Sequence, residues 1–182
     1  MPEKPATQPA SAATPIDKFS QCHAGILLQL EEFRQLPALL APMPRARQIA
    51  ERLSEFFRTT AFQHHHDEEQ ELFPAVLAAS QEGEERTHVQ MLVTALTREH
   101  REIEKQWRAL APEIDKLAAG HMAAIDSYAV RDLIDQYNTH ARFEEMEFLP
   151  LSEQILGRQN EHPANLGLTL HMRRRPQPPV DI

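Results

Sequence analysis

One eleven-residue pattern occurs twice in the chain, and it constrains the fold more than any other feature of the sequence. HHHDEEQELFP begins at His64 and HARFEEMEFLP begins at His140. The first His, the Glu-Glu pair, a third Glu and the Pro coincide at an offset of 76 residues. Two single histidines, His23 and His100, lie 77 residues apart, so the repeat extends over longer segments. We therefore interpret the chain as a duplicated half, with each half forming one helical hairpin.

The spacing of apolar residues predicts an all-α fold. Apolar side chains recur every three or four positions, and the alternation typical of strands is absent. Proline and glycine interrupt this periodicity and delimit four helices at about 16–36, 45–80, 84–118 and 122–157. Short connections between long amphipathic helices favour an antiparallel, up-down-up-down four-helix bundle with an internal two-hairpin repeat. The interrupting residues are Pro37, Pro42, Pro44, Gly83 and Gly120.

The two ends of the chain differ in composition from its middle. Residues 1–15 are rich in Pro, Ala, Ser and Thr, and we predict a disordered tail there. Residues 16–157 form the predicted bundle. Residues 158–182 are predicted to be a C-terminal extension and tail, in which the short apolar segment Ala164–Met172 packs on the end of the bundle.

Composition excludes several classes of function. The 182 residues suffice for one domain, and the net charge of −8 argues against nucleic-acid binding as the main activity. No apolar run approaches the roughly 18 residues of a membrane span. Cys22 is the single cysteine, so an intramolecular disulfide is excluded and a bound metal needs other ligands. The N-terminal residues do not resemble a secretory signal, and we expect a cytoplasmic protein.

Six titratable residues occupy positions in the apolar stripes where core residues are expected. The first and third predicted helices each carry one histidine there, and the second and fourth each carry a His-x-x-x-Glu pair. Residues four apart lie on one helix face, so each pair presents an imidazole and a carboxylate toward one point. Left unsatisfied in a core, such groups cost roughly 1–3 kcal/mol each, a penalty that bound metal ions remove. The six candidate metal ligands are His23, His64, Glu68, His100, His140 and Glu144.

Distances along the chain test whether the four helices bring the histidines to one level. His64 and His100 lie equally far from the second predicted turn, and His100 and His140 lie equally far from the third. His23 and His64 differ by about six residues in their distance from the first turn, or roughly 9 Å of helix rise. The sequence therefore predicts alignment at two junctions and an offset at the first.

The donor types indicate which metal the site would take. With Glu68 and Glu144 both bridging, each of two metals would have two histidines and further positions for a bridging oxygen and a small exogenous ligand. Imidazole and carboxylate ligands suit iron, manganese or zinc. A mixed nitrogen and oxygen dinuclear site with open positions is most typical of non-haem di-iron. We predict two iron ions, with manganese or zinc as alternatives.

These motifs resemble those of the hemerythrin-like, or HHE cation-binding, domain family over residues 16–157. Members of this family are four-helix bundles with a central di-iron site, and the resemblance implies the same architecture here. The family's ligands correspond to His23 on the first helix, His64 and Glu68 on the second, His100 on the third, and His140 and Glu144 on the fourth.

The sequence departs from the oxygen-carrying hemerythrins in two ways. Those proteins have a second histidine four residues from the one on the third helix, where this chain has Leu96 and Glu104. They also have an Asp at +5 on the fourth helix, where this chain has Glu144 at +4. The chain is more similar to the HHE branch, which is linked to nitric oxide and oxygen sensing, iron handling and repair of iron centres. The repair proteins carry an N-terminal cysteine-containing segment, whereas this sequence has only Cys22.

Residues beside the six candidates have weaker assignments. His65 lies about 100° around the helix from His64 and is a candidate fifth histidine at the edge of the site. The neighbouring glutamates are either solvated or orient imidazoles. Cys22 points away from the ligand stripe, and Tyr137 is either a core aromatic or a wall of the metal pocket. His171 belongs to the C-terminal apolar segment, where a structural role is the simpler interpretation.

The resemblance and the ligand pattern favour a binding or sensing protein over an enzyme. The leading hypothesis is a di-iron centre that binds dioxygen, nitric oxide or a related small diatomic ligand. One alternative is a di-iron oxidoreductase or a protein of iron repair or handling. Another is a zinc-bound or metal-free helical interaction module. The sequence does not indicate a protein partner.

Overall fold

A computed structural model describes residues 15–37 and 43–158 of the chain. Within these ranges the secondary structure is helical and contains no strand, which confirms the all-α prediction. The predicted N-terminal tail falls outside the described residues except for Pro15, which begins a helix. The predicted C-terminal extension, including Ala164–Met172, lies outside them except for Arg158.

Four helices follow one another along the described chain. Helix α1 covers Pro15–Gln35 and helix α3 covers Glu84–Ala118. Helix α2 consists of the α-helical segments Met43–Phe56, Phe62–Asp67 and Phe73–Ala79, which are joined by the π-helical turns Phe57–Ala61 and Glu68–Leu72. Helix α4 consists of Ser127–Phe143 and Leu149–Gly157, joined by the π-helical turn Glu144–Phe148.

The helix boundaries follow local capping chemistry. The turns before and after α3 contain Gly83 at φ 104° and Gly120 at φ 81°. Residues that have a Cβ rarely adopt these backbone conformations. The predicted start of α4 at about residue 122 is wrong, because the helix begins at Ser127. The carboxylate of Asp126 accepts hydrogen bonds from the backbone N–H groups of Tyr128 and Ala129, at 2.8 and 3.3 Å, and so caps the helix at this later point.

Each helix packs against its neighbours in the chain, and α1 also packs against α4. The first segment of α2 packs mainly against α3. There Ser54 donates a hydrogen bond to Asp115 at 2.5 Å, and the Arg47 guanidinium donates one to the Ala118 carbonyl at 3.1 Å. Among residues 15–37 and 43–158, no helix combines the length and hydropathy needed to cross a bilayer.

Two apolar clusters form the core, and the candidate ligands lie between them in every helix. In α3, for example, Leu96 belongs to one cluster and Ile103 to the other, with His100 between them in the sequence. The large cluster includes Ile26, Leu30, Phe33, Leu53, Phe57, Ile103, Trp107, Ile114, Leu133 and Tyr137. The small cluster comprises Phe19, Leu72, Phe73, Val76, Val89, Leu92, Leu96, Phe148, Leu149 and Ile155.

Candidate metal centre

Seven buried side chains between the two clusters form two groups that could each hold a metal ion. In each group the possible ligand atoms lie within 4.8 Å of one another. Group A contains His23, His64, Glu68 and Glu144, and group B contains His65, His100 and His140. The structure thus brings all six residues of the sequence prediction together and adds His65, which is 1% exposed rather than at the edge of the site.

Group A joins α1 to α2 and α4 at short range. The Nε2 atom of His23 lies 2.6 Å from Glu144 Oε2 and 2.9 Å from His64 Nε2. His64 Nε2 lies 3.3 Å from Glu68 Oε1. The offset of roughly 9 Å expected between His23 and His64 is therefore wrong. The first segment of α2 packs mainly against α3 rather than α1.

Both glutamates extend from group A to group B. Glu68 places Oε1 beside His64 and Oε2 at 3.3 Å from His100 Nε2. Glu144 places Oε2 beside His23, while its Oε1 lies 3.8 Å from His100 Nε2 and 3.7 Å from His140 Nε2. Each carboxylate therefore offers one oxygen to each group, which is the arrangement a bridging carboxylate requires.

The two glutamates begin matching local distortions of their helices. Glu68–Leu72 and Glu144–Phe148 are both π-helical turns, and they occupy equivalent places in the repeat. A π-helical turn inserts one residue into an α-helix and often accompanies a functional site. The duplication visible in the sequence is thus also present in the backbone at the centre.

Carboxylates outside the centre orient three of the histidines. The Nδ1 group of His23 donates to Glu145 at 3.0 Å, and that of His100 donates to Glu69 at 2.8 Å. Glu69 and Glu145 are equivalent in the repeat, in agreement with one of the two interpretations of the neighbouring glutamates. His140 Nδ1 donates to Glu99 at 3.1 Å, a partner that the sequence analysis missed. Such bonds fix the tautomer and leave Nε2 directed at the centre.

Buried atoms facing the centre lack hydrogen bonds of acceptable geometry. Within the described chain they include both oxygens of Glu68 and Glu144 and the Nε2 atoms of His100 and His140. An unsatisfied buried polar group costs about 1–3 kcal/mol, and more if it is charged. Metal coordination uses these same lone pairs, so the residues fit a pair of cations held by nitrogen and oxygen donors.

Burial and the opposite charges within the centre determine its protonation without metal. Burial alone would lower the pKa of His23 and His100, but the adjacent glutamates outweigh it and raise both to about 10. Burial would raise the pKa of Glu144, but His140, His100 and His23 hold it well below its ordinary value. Burial and the charge of Glu144 raise the pKa of Glu68.

Two further buried groups adjoin the centre. The Tyr137 hydroxyl lies 3.4 Å from His65 Nε2, so this tyrosine contacts the histidines as well as the large cluster. Cys22 is buried, and burial together with the charge of Glu68 raises the pKa of its thiol to about 12. A thiol of that acidity is protonated near neutral pH and is a poor metal ligand. His66, His88 and His121 are exposed, whereas His162 and His171 lie outside the described residues.

The fold and the site define a helical protein built to bind cations, and the sequence comparisons agree. Residues 14–152 match the hemerythrin HHE cation binding domain, and the chain belongs to this family. An uncharacterized protein of Haemophilus influenzae is 24% identical over 155 residues, which cover 81% of this chain and 87% of the relative. No solved structure matches the chain.

Proposed function

We propose that the protein holds a non-haem di-iron centre and uses its open coordination positions to bind or sense dioxygen, nitric oxide or a related small ligand. The observation that supports this most directly is the placement of Glu68 and Glu144, each with one oxygen beside each histidine group. The proposed ligands are His23, His64, Glu68, His100, His140 and Glu144.

The arrangement proposed for the helices is the antiparallel, up-down-up-down bundle. Contacts between α2 and α3 support it, because Arg47 reaches Ala118, Ser54 reaches Asp115, and Glu69 reaches His100. Residue numbers rise in one helix as they fall in the other. Such a bundle brings one ligand-bearing segment of each helix to the same level.

The donor chemistry favours iron, with manganese or zinc as alternatives. Imidazole nitrogens and carboxylate oxygens make up the site, and the protonated Cys22 thiol does not add a soft ligand. Bound iron would supply redox chemistry and affinity for small diatomic molecules. The protein's residues supply the bridging oxygens, the oriented imidazoles, and the apolar clusters that exclude water from both sides.

Metal analysis of the full chain tests this proposal. Protein expressed with ample iron should contain about two irons per chain and should change its visible absorption when oxygen or nitric oxide is added. Glu144→Ala should abolish stoichiometric binding, since it removes an oxygen from both groups. The control Glu147→Ala, an exposed carboxylate three residues further along, should retain both irons.

Other experimental results would favour a different ligand set or a different function. Two irons retained in both His64→Ala and Glu144→Ala would rule out the proposed ligand set. Zinc in place of iron, or a colourless chain that keeps its full stability without metal, would favour a helical interaction module. Sustained turnover of peroxide or nitric oxide with a reductant would favour an oxidoreductase over a binding protein.

A further inference from the structure

The two halves of the repeat differ at three positions that adjoin the centre, and all three differences affect the histidines. Comparison at the 76-residue offset pairs Ala61 with Tyr137 and His65 with Ala141. Comparison at the 77-residue offset of α1 and α3 pairs Cys22 with Glu99. The six candidate ligands and the supporting pair Glu69 and Glu145 are duplicated, but these neighbouring side chains are not.

The first two differences together add a third imidazole to group B. The ring of His65 stacks on His100 with centroids 4.0 Å apart and forms a T-shaped pair with His140 with centroids 5.6 Å apart. Tyr137 approaches His65 Nε2, and Nδ1 of the same ring has no hydrogen-bond partner among the described residues. One nitrogen of His65 lies within 4.8 Å of ligand atoms of His100 and His140, so this imidazole is available to a metal in group B. Ala141, at the equivalent position, offers no imidazole to group A.

The third difference removes a supporting carboxylate from group A. In group B, Glu99 accepts a hydrogen bond from His140 Nδ1 at 3.1 Å. His64 is the equivalent of His140, and its buried Nδ1 is without a hydrogen-bond partner in the part of the chain that the structure describes. The residue equivalent to Glu99 is Cys22, whose thiol is a weak hydrogen-bonding group. His64 therefore lacks the charge-assisted bond that orients His140.

We infer that the two metal positions are unequal, with the position at His65, His100 and His140 filling first and the position at His23 and His64 binding its metal more weakly and exchanging it. This inference rests on the proposed function, since it assumes that both groups hold metal. Glu68 and Glu144 each place one oxygen beside each group, so the difference that we infer is argued from the histidines and their partners. Loss of a partner that orients a metal-bound histidine typically costs 10- to 100-fold in affinity.

Titration of the metal-free full chain with Co²⁺ under anaerobic conditions tests the inference. Binding should occur in two steps whose dissociation constants differ by at least about tenfold. Glu99→Gln should weaken the first step by about 10- to 100-fold and leave the second nearly unchanged. The matched control Glu102→Gln, on the same helix and paired with Lys105, should change neither step.

His65→Ala gives a second, independent readout. It should weaken the first step by more than Glu99→Gln does, because it removes a ligand rather than a partner of one. Circular dichroism verifies the folding of each variant. If the variant of the buried His65 unfolds, Glu99→Gln tests the inference by itself, because Glu99 is partly exposed. Two equal steps in the unaltered chain, or variants that weaken only the second step, would overturn the inference. Absence of both steps would instead contradict the proposed function.

Discussion

The ligand layer and the two apolar clusters on either side of it are equally buried but contribute to stability in opposite ways. Phe57 in the large cluster and Leu96 in the small one are fully buried and gain free energy by leaving water. Glu68 and Glu144 are also fully buried, yet their oxygens lack good hydrogen bonds. The clusters therefore drive folding, whereas the layer between them costs free energy until its lone pairs are used.

Among the tests of this comparison, removal of metal should have the largest effect. A ligand present at about a thousand times its dissociation constant stabilises the folded state by about 4 kcal/mol per site. Chelation should therefore lower the free energy of unfolding by several kcal/mol while the helical circular dichroism persists, because the clusters are intact. Denaturant titrations with and without metal measure the difference. Loss of the helical signal on chelation would show that the clusters alone are insufficient.

Truncation of a side chain in the large cluster should lower the stability of the chain without changing its metal content. Trp107 stacks on Phe57 with ring centroids 3.8 Å apart, and Trp107→Ala should cost about 3–5 kcal/mol through lost burial and a cavity. The metal content of the remaining folded protein should stay at the unaltered value. Met146→Ala, at a side chain that is 72% exposed, is the control and should change neither quantity. A loss of metal from folded Trp107→Ala protein would contradict the separation of layer and cluster.

The ligand layer should respond to pH more strongly than the clusters do. In the metal-free chain the pKa values of His23 and His100 are raised to about 10. Protonation of these two residues therefore stabilises the folded state fully below about pH 6.5, and this stabilisation is lost as the pH rises through 10. Metal binding needs both imidazoles neutral and so releases about two protons. His23 belongs to group A and His100 to group B, so the affinity of each position should rise about tenfold per pH unit between pH 7 and 9, and the overall affinity for two metals about 100-fold, or about 2.7 kcal/mol.

Zinc competition against a chelator of known affinity measures this slope. Proton release in weakly buffered solution is an independent count of the protons displaced. A slope near zero between pH 7 and 9 would mean that His23 and His100 are already neutral without metal. The sequence alone, with ordinary histidine pKa values, places the onset of proton competition near pH 6, and the hydrogen bonds and charges of the adjacent glutamates move it upward.

The sequence predicts most of the helix boundaries and the six candidate ligands because both have local signals. Gly83 and Gly120 bound α3, and its predicted range of 84–118 is confirmed. The six candidate ligands came from the repeat, and the structure brings all of them together. The start of α4 was misplaced because the cap at Asp126 is a weaker signal than the glycine six residues before it.

His65, predicted only at the edge of the site, and Glu99, which was not predicted, show where the sequence signal is weak. Each adjoins a candidate ligand and is turned by about 100° on an ideal helix, which suggests that it points elsewhere. A centre with two groups of candidate ligands is wide enough to be faced by adjacent residues, so His64 belongs to group A and His65 to group B. Glu99 meets His140 of another helix, and contacts between helices leave no periodic signal in the chain.

The smallest effects should come from glycines outside both the layer and the clusters. Gly83 has φ 104°, and although a Cβ there would meet no atom within 4 Å, the backbone conformation disfavours it. Gly83→Ala should cost about 1–2 kcal/mol. Gly157 is the last helical residue of α4, has no positive φ and has equally open surroundings, so Gly157→Ala should stabilise the chain by up to about 1 kcal/mol.

This pair separates backbone strain from steric crowding because neither new methyl group meets a neighbour. Both variants should keep the metal content of the unaltered protein, since neither glycine contributes to the groups that could hold metal. Denaturant titration of the metal-loaded forms gives the two differences in free energy. Equal effects of the same sign would show that the positive φ of Gly83 carries no cost, and the turn before α3 would then be set by its flanking helices rather than by the glycine.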